Sequence, residues 1–352
     1  VVLAERPELI QRFQPDDARI RETVNRCLLA YTRQRTVAEA WRSLVSPKDT
    51  VGLKISTVGG PILGTHRAIV DAVIEGLREA GVPAHQIIVW DKFEEQMINA
   101  GYVPMRPGSG WGCLSTVPGV GFDEGKFVFH ELAGQLIWGD RDFVGRAEKK
   151  EDVVQRLLKS AAEPQKPAAS KDLTKVPPLN NTPAKPETPP QVSNRSYFTR
   201  IVTREVSKII NLPVLSDHDR IGVWGAVSSL ALGSVDNHRR FLNESEAAGL
   251  GIAEILAHEA LAGKTVLHIM DGLVAQYAGG PAFHPQYAAS PGVLMISSDP
   301  VALDTLALER IEDWRRSRSV IPVADKAQHL RQAAALGLGK NDRSQLELVV
   351  LR

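Results

Sequence analysis

Aspartate closes four of the apolar runs in this 352-residue chain. Asp91 follows Ile-Ile-Val-Trp, Asp217 follows Asn-Leu-Pro-Val-Leu-Ser, Asp271 follows Val-Leu-His-Ile-Met, and Asp299 follows Leu-Met-Ile-Ser-Ser. In open α/β sheets, ligands bind outside the carboxyl ends of the strands. If these runs are parallel, adjacent strands, their acids face one crevice. His218 and Asp219 stand directly behind Asp217, and His238 follows the turn at 233–236. Aspartate and histidine together suit a borderline or hard divalent cation. Asp217, His218, Asp271 and Asp299 are therefore the candidate metal ligands. Asp217, His218, His238 and Asp271 are the candidate catalytic groups, through a metal-bound water or directly as acids and bases. Two of the acids also have a purely structural reading. Asp299 before Pro300 is a good helix cap with proline at the first helical position, and Asp91 can simply end a strand.

Other residues point to a ligand with negative charge. Lys54 interrupts the alternation of Val51, Leu53 and Ile55, so it points to the other face of its strand. There it can neutralise nearby aspartates or bind an anion. Gly59, Gly60 and Thr65 form a turn between a strand and a helix, where backbone N–H groups can hold a phosphate or carboxylate. The turn matches neither GxGxxG nor GxxxxGK[ST], so it does not imply a nucleotide. GxSxG and HExxH do not occur. The only cysteines, Cys27 and Cys113, cannot ligate an iron–sulfur cluster that needs four. They allow at most one disulfide within the chain.

The elements that must position these residues alternate between strand and helix. Helical spacing begins after Pro15–Asp16, and Thr36 with Glu39 forms a capping-box pattern. Strands are expected at 50–56 and 86–90, with a helix at 65–80 between them closed by Gly81. Residues 103–121 read as loop, 126–130 as a strand and 149–160 as a helix. Farther on, 206–215 reads as one buried strand and 223–232 as a helix. A helix at 252–261 and strands at 264–270 and 293–297 come next. Helices at 301–316 and 326–336 and a strand at 346–351 complete the pattern. It predicts an α/β fold, a mostly parallel sheet with helices on both faces. His66, near the start of a helix, is expected to be exposed.

Between Glu163 and Pro190 lie eight of the 22 prolines, interleaved with lysines and without aromatics. Such a stretch buries too little apolar area to offset its ordering entropy. The expected organisation is an N-terminal helical segment at 1–48, one α/β body at 49–160 and 193–352, and a Pro-rich insertion at 161–192. Forty-two basic against 41 acidic residues leave +1, which argues against a broad nucleic-acid surface. No apolar run reaches the ~20 residues of a membrane helix. The first residue, Val1, fits a removed export signal or a trimmed boundary.

Taken in order, these pieces resemble the domain-of-unknown-function family 362. They are Val51-Gly-Leu-Lys-Ile-Ser56, Ala80-Gly81 leading into Ile87-Ile-Val-Trp-Asp91, and Lys208-Ile-Ile-Asn-Leu-Pro-Val-Leu215 with Asp217-His218. Gly222-Val-Trp-Gly-Ala226, Val266-Leu-His-Ile-Met-Asp-Gly272, Gly279-Gly-Pro281 and Ser297-Ser-Asp-Pro-Val-Ala-Leu-Asp304 follow. Family members often read Leu-Lys-Asn where this chain has Val227-Ser-Ser229, and some carry ferredoxin-like cysteine motifs that this chain lacks. The resemblance implies an α/β fold and motif positions but no reaction; some members look exported. The expected protein lies in the cell envelope, periplasmic or otherwise exported, with a cytoplasmic location as the alternative. It acts by metal-assisted or acid–base chemistry on a small polar substrate. The alternatives are a binding protein for a small anionic ligand, and a subunit of a larger assembly or homo-oligomer with the Pro-rich segment as a docking strap.

Overall fold

The computed structural model of the protein describes residues 1–144 and 191–351. The helix expected at 149–160 and the Pro-rich segment at 161–190 lie outside the described residues. The chain opens with strand β1 (Val2–Glu5), not with a helix, and then forms α1 (Asp17–Thr32) and α2 (Val37–Arg42). Asp16 caps α1 by accepting from the Arg19 N–H, and α2 has the full Thr36–Glu39 capping box. Strand β2 (Val51–Ile55), the short α3 (Gly60–Leu63), α4 (Arg67–Glu79), β3 (Ile87–Phe93) and α5 (Glu94–Asn99) make the first parallel crossover. Strands β4 (Gly112–Val117), β5 (Phe122–Gln135), β6 (Val192–Thr199), β7 (Lys208–Leu212), β8 (Val214–His218) and β9 (Gly222–Trp224) follow. Helices α6 (Ala226–Gly233) and α7 (Glu246–Ala257) then precede strands β10 (Thr265–Gln276) and β11 (Val293–Ser297). The last elements are α8 (Pro300–Ser317), α9 (Gln328–Ala335) and β12 (Val349–Leu351).

One large sheet runs in the order β12-β1-β11-β10-β7-β2-β3-β4, with β8 and β9 attached beyond β10. Strands β10, β7, β2, β3 and β4 are mutually parallel, and β8 joins β10 in parallel. Strand β11 is antiparallel to β10, and β1 is antiparallel to β11. The fold is α/β, with a mostly parallel sheet covered by helices on both faces. Strict alternation serves two cores. Val51, Leu53, Ile87, Val89 and Ile210 pack with α1, α2 and α4, whereas Ile88, Trp90, Ile209 and Met270 pack with α6, α7 and α8. Strands β5 and β6 form a separate antiparallel pair.

The structure departs from the expected elements where pairing is not local. The glycine-rich stretch 103–121, read as loop, contains β4, which pairs with β3 through Val89 opposite Cys113. The single strand expected at 206–215 is broken by Pro213, which has no N–H to continue the ladder. The chain then leaves its place beside β2 and pairs with the far half of β10. Cys27 and Cys113 are both buried and unbridged.

Two aspartates in the most specific stretch of the family resemblance each cap a helix. Asp299 caps α8 by accepting from the Ala302 N–H. Asp304, fully buried, reaches across to the start of α6 and accepts from Ala226 N at 2.6 Å and Val227 N at 2.9 Å. Burial pushes Asp304 up to about 7 against the pull of those two N–H groups. Replacing Asp304 with alanine leaves both donors buried and unpaired. We expect Asp304→Ala to lower stability by about 2–4 kcal/mol, read by urea unfolding, with Asp304→Asn in between.

Candidate active site

The carboxyl ends of β2, β3 and β8 meet the last turn of α6 around a cavity of about 210 Å³. Its walls include Lys54, Asp91, Lys92, His218, Trp224, Ser229, Gly233, His238 and Arg239. A larger hollow of about 640 Å³, bounded by Trp138, Val144 and Arg200, is an open surface groove with no comparable cluster.

Lys54 is buried, not solvated. Its Nζ sits 2.8 Å from Asp91 Oδ1, donates to the Ile55 carbonyl at 2.6 Å and lies 5.5 Å from the Trp90 ring centre. Asp91 is saturated with donors. Oδ2 accepts from the Thr57 N–H and hydroxyl, and Oδ1 also accepts from the Lys92 N–H. Gly233 leaves the room for Lys54. A Cβ there would stand 2.6 Å from Lys54 Cε and 2.9 Å from Nζ.

Lys92 lies two residues beyond Trp90 on the same face of β3 and is 4% exposed. Its Nζ donates to the Val235 carbonyl at 2.5 Å and lies 2.6 Å from His238 Nδ1. Among the described residues, no carboxylate stands within ion-pair distance of this ammonium. Burial pulls Lys92 down to about 8, opposed by the carboxylates of Asp140, Asp236 and Asp91 and reinforced by Lys54. Asp140 and Asp236 are held by backbone donors, including the Asn237, Arg141 and Tyr197 N–H groups. They tie the cavity wall to the β5–β6 pair. Burial, with the Lys92 charge beside it, holds His238 well below its usual range. With Lys92 as ammonium the donor, neutral His238 carries its proton on Nε2.

His218 Nδ1 accepts from the Arg220 N–H, which likewise leaves the proton of the neutral ring on Nε2. Burial lowers His218 to about 4, and its ring lies 5.6 Å from that of Trp224. The Ser229 hydroxyl is buried on the cavity wall without a hydrogen-bond partner among the described residues. The lining is thus rich in donors and carries more positive than negative charge.

The structure brings together Lys54, His218 and His238 from the sequence-predicted set, but not the others. Asp217 and His218 are neighbours on β8 and so point to opposite faces. Asp217 turns inward, where Oδ1 accepts from the Gly280 N–H and Oδ2 lies 3.5 Å from Arg315. Burial and the nearby Asp219 charge raise it to about 7. Asp271 lies on the sheet face covered by α4 and accepts from both the backbone and Nδ1 of His66, at 2.7 and 2.9 Å. His66, expected to be exposed, is buried by this contact. Asp299 sits at the opposite end of the strands, beside the start of β10, because β11 runs antiparallel to β10. Its two oxygens accept from Ala302 N and Lys340 N. The four candidate metal ligands therefore do not converge. Among the described residues, no group of three or more His, Cys, Asp or Glu side chains is placed to hold a metal ion. Gly59, Gly60 and Thr65 do not line the cavity. The Thr65 hydroxyl donates to the Leu212 carbonyl and accepts from Ser56 N, tying β2 to β7.

Lys92, Trp224 and Ser229 escaped the sequence reading. A signal for Lys92 was present: a second lysine beyond a continuous apolar strand, on the face of Trp90.

Comparison with known proteins bears on the second half of the chain. Residues 166–309 match the family model of a domain of unknown function, DUF362. The family resemblance is thereby shown over this span. The DUF362 span supplies His218, Trp224, Ser229, Gly233 and His238 to the cavity, while Lys54, Asp91 and Lys92 precede it. No curated protein matches the chain. A solved structure of a Thermotoga maritima protein, a structural genomics target, is similar at 10% identity with a TM-score of 0.41. The alignment covers 87% of this chain and 60% of that one, so this chain spans less than two thirds of that protein. No helix among the described residues is long and apolar enough to cross a membrane.

The depressed Lys92 makes the cavity visible in stability. Between pH 8 and 10.5 the unfolded chain binds this proton more tightly than the folded one, so Lys92 makes stability rise with pH across that window. We expect Lys92→Met to remove a rise on the order of 1–3 kcal/mol between pH 7 and 10, measured by urea unfolding of both proteins.

Proposed function

We propose that this protein is an acid–base enzyme acting on a small anionic substrate held at the carboxyl ends of β2, β3 and β8. The observation that carries this reading is the 2.6 Å contact between Lys92 Nζ and His238 Nδ1 in a cavity already holding the Lys54 ammonium. At ~30 Å³ per water, a cavity of about 210 Å³ holds roughly seven waters. It suits a small metabolite, below the usual size of sites for larger ligands. Arg239, Lys54 and the histidine N–H groups offer donors to carboxylate or phosphate oxygens.

The Lys92–His238 pair can move one proton at the substrate. When His238 gives up its Nε2 proton, Nδ1 takes the Lys92 proton, and the ring stays neutral. The reverse passage restores the pair. A lysine held near neutral pH and a histidine fixed in one tautomer are suited to this relay. Lys54 Nζ is held 2.8 Å from Asp91 Oδ1, so Lys54 binds and orients the substrate.

The test uses thermal shift against a panel of two- to five-carbon hydroxy, oxo and amino carboxylates and small phosphate esters. At least one is expected to raise the Tm by more than about 2 °C. Gly233→Ala, which crowds Lys54, is expected to weaken that ligand at least ~10-fold. For the ligand that binds, His238→Ala is expected to slow exchange of its acidic C–H with solvent deuterium by about 10²–10⁴-fold. A panel that leaves the Tm unmoved would refute the reading. Binding with no exchange, in the protein and the variant alike, would reduce the site to a binding pocket.

A further inference from the structure

The two lysines on neighbouring strands are not equivalent. Lys54 has a carboxylate at 2.8 Å, a carbonyl at 2.6 Å and the Trp90 ring beside it. Lys92 has a carbonyl and an imidazole instead, with no carboxylate within ion-pair distance among the described residues. A desolvated lysine beside a second cation loses its proton readily and becomes an amine nucleophile. His238 Nδ1 touches the same Nζ, so the displaced proton has a route. The Ser229 hydroxyl is buried on the same wall and has no hydrogen-bond partner among the described residues. An unpaired buried hydroxyl calls for a polar ligand atom beside it.

From this geometry we propose that Lys92 forms a covalent imine with the carbonyl carbon of a small 2-oxo acid, whose carboxylate is held by Lys54 and Arg239. The inference rests on the reading of the cavity as a small-anion site and narrows its substrate to carbonyl compounds. The neutral Lys92 amine attacks the carbonyl carbon, forming the C–N bond. The carbonyl π pair moves to oxygen, which takes a proton, and the nitrogen sheds one, giving a carbinolamine. His238, which took the Lys92 proton on Nδ1 when the amine was freed, donates that proton to the hydroxyl, which leaves as water while the nitrogen lone pair forms the iminium double bond. Amine, carbonyl compound and one proton become iminium and water, with no oxidant or reductant. Ser229 can hydrogen-bond the oxygen as it passes from carbonyl to hydroxyl.

The test is reductive trapping on the full chain. The protein is incubated with pyruvate, glyoxylate or 2-oxoglutarate and sodium borohydride, and adducts are mapped by peptide mass spectrometry. We expect one adduct per chain, with Lys92 labelled at least ~10-fold more than any other lysine. Lys92→Arg keeps the charge but is not a nucleophile, and it is expected to lose the adduct. Because that variant could fold poorly, a second measurement uses the unaltered protein: excess lactate, which lacks the carbonyl, is expected to protect Lys92 and no other lysine. Labelling spread evenly over lysines, or labelling of Lys92 that lactate does not reduce, overturns the inference. If panel ligands shift the Tm but none of the three oxo acids marks Lys92, the imine is refuted and the anion site stands. If neither occurs, both fall.

Discussion

Burying the Lys54 ammonium against the Asp91 carboxylate is the constraint around which the site is built. Two charges removed from water are costly unless the geometry and the remaining hydrogen bonds compensate. Here the compensation is local and complete. Thr57 supplies two donors to one Asp91 oxygen, while Lys54 and the Lys92 backbone supply the other. The pair spans two adjacent parallel strands, so the β2–β3 register sets its geometry. Gly233 at the end of α6 leaves the space, and α6 is positioned by Asp304 from α8. A chain of polar contacts thus links one helix start, one glycine and one ion pair.

That satisfied pair makes the second lysine distinctive. The Asp91 oxygens are engaged by other donors, so Asp91 acts on Lys92 through its charge and not through a direct ion pair. The Asp140 and Asp236 carboxylates moderate the Lys92 charge from behind, but their oxygens are committed to backbone donors. The turn after β5 and the segment after α6 therefore contribute electrostatics to a cavity that lies in the large sheet. The same logic explains why Asp217 and Asp271 stand outside the cavity. Each is bound to a nearby group, Gly280 with Arg315 for one and His66 for the other. These contacts join outlying segments to the sheet.

Features governed by neighbours in sequence were readable. The capping box of α2, the Asp299 cap of α8 and the amphipathic α4 depend on contacts within one or two turns. Lys54 was readable as a side chain on the far face of its strand because period-2 alternation is local. Strand β4 and the break at Pro213 were not, because whether a short apolar stretch becomes a strand depends on a partner far away in the chain. The convergence of four strand-end aspartates failed for two reasons. Strand direction placed Asp299 at the other end of the strands, and side-chain alternation placed Asp271 and Asp217 away from the cavity.

The sequence alone determined the α/β class, a mostly parallel sheet, helices on two faces and a polar cluster at strand ends, since hydrophobic period and capping chemistry are local properties. It also marked His218, His238 and Lys54 as residues with chemistry. Only the tertiary structure decided which of them meet. Pairing order and strand direction bring residues from β2 and β3 within a few ångströms of residues from β8 and α6, across separations of well over a hundred residues. The contact between Lys92 and His238 belongs to that second kind, because 146 positions separate two residues whose nitrogens lie 2.6 Å apart.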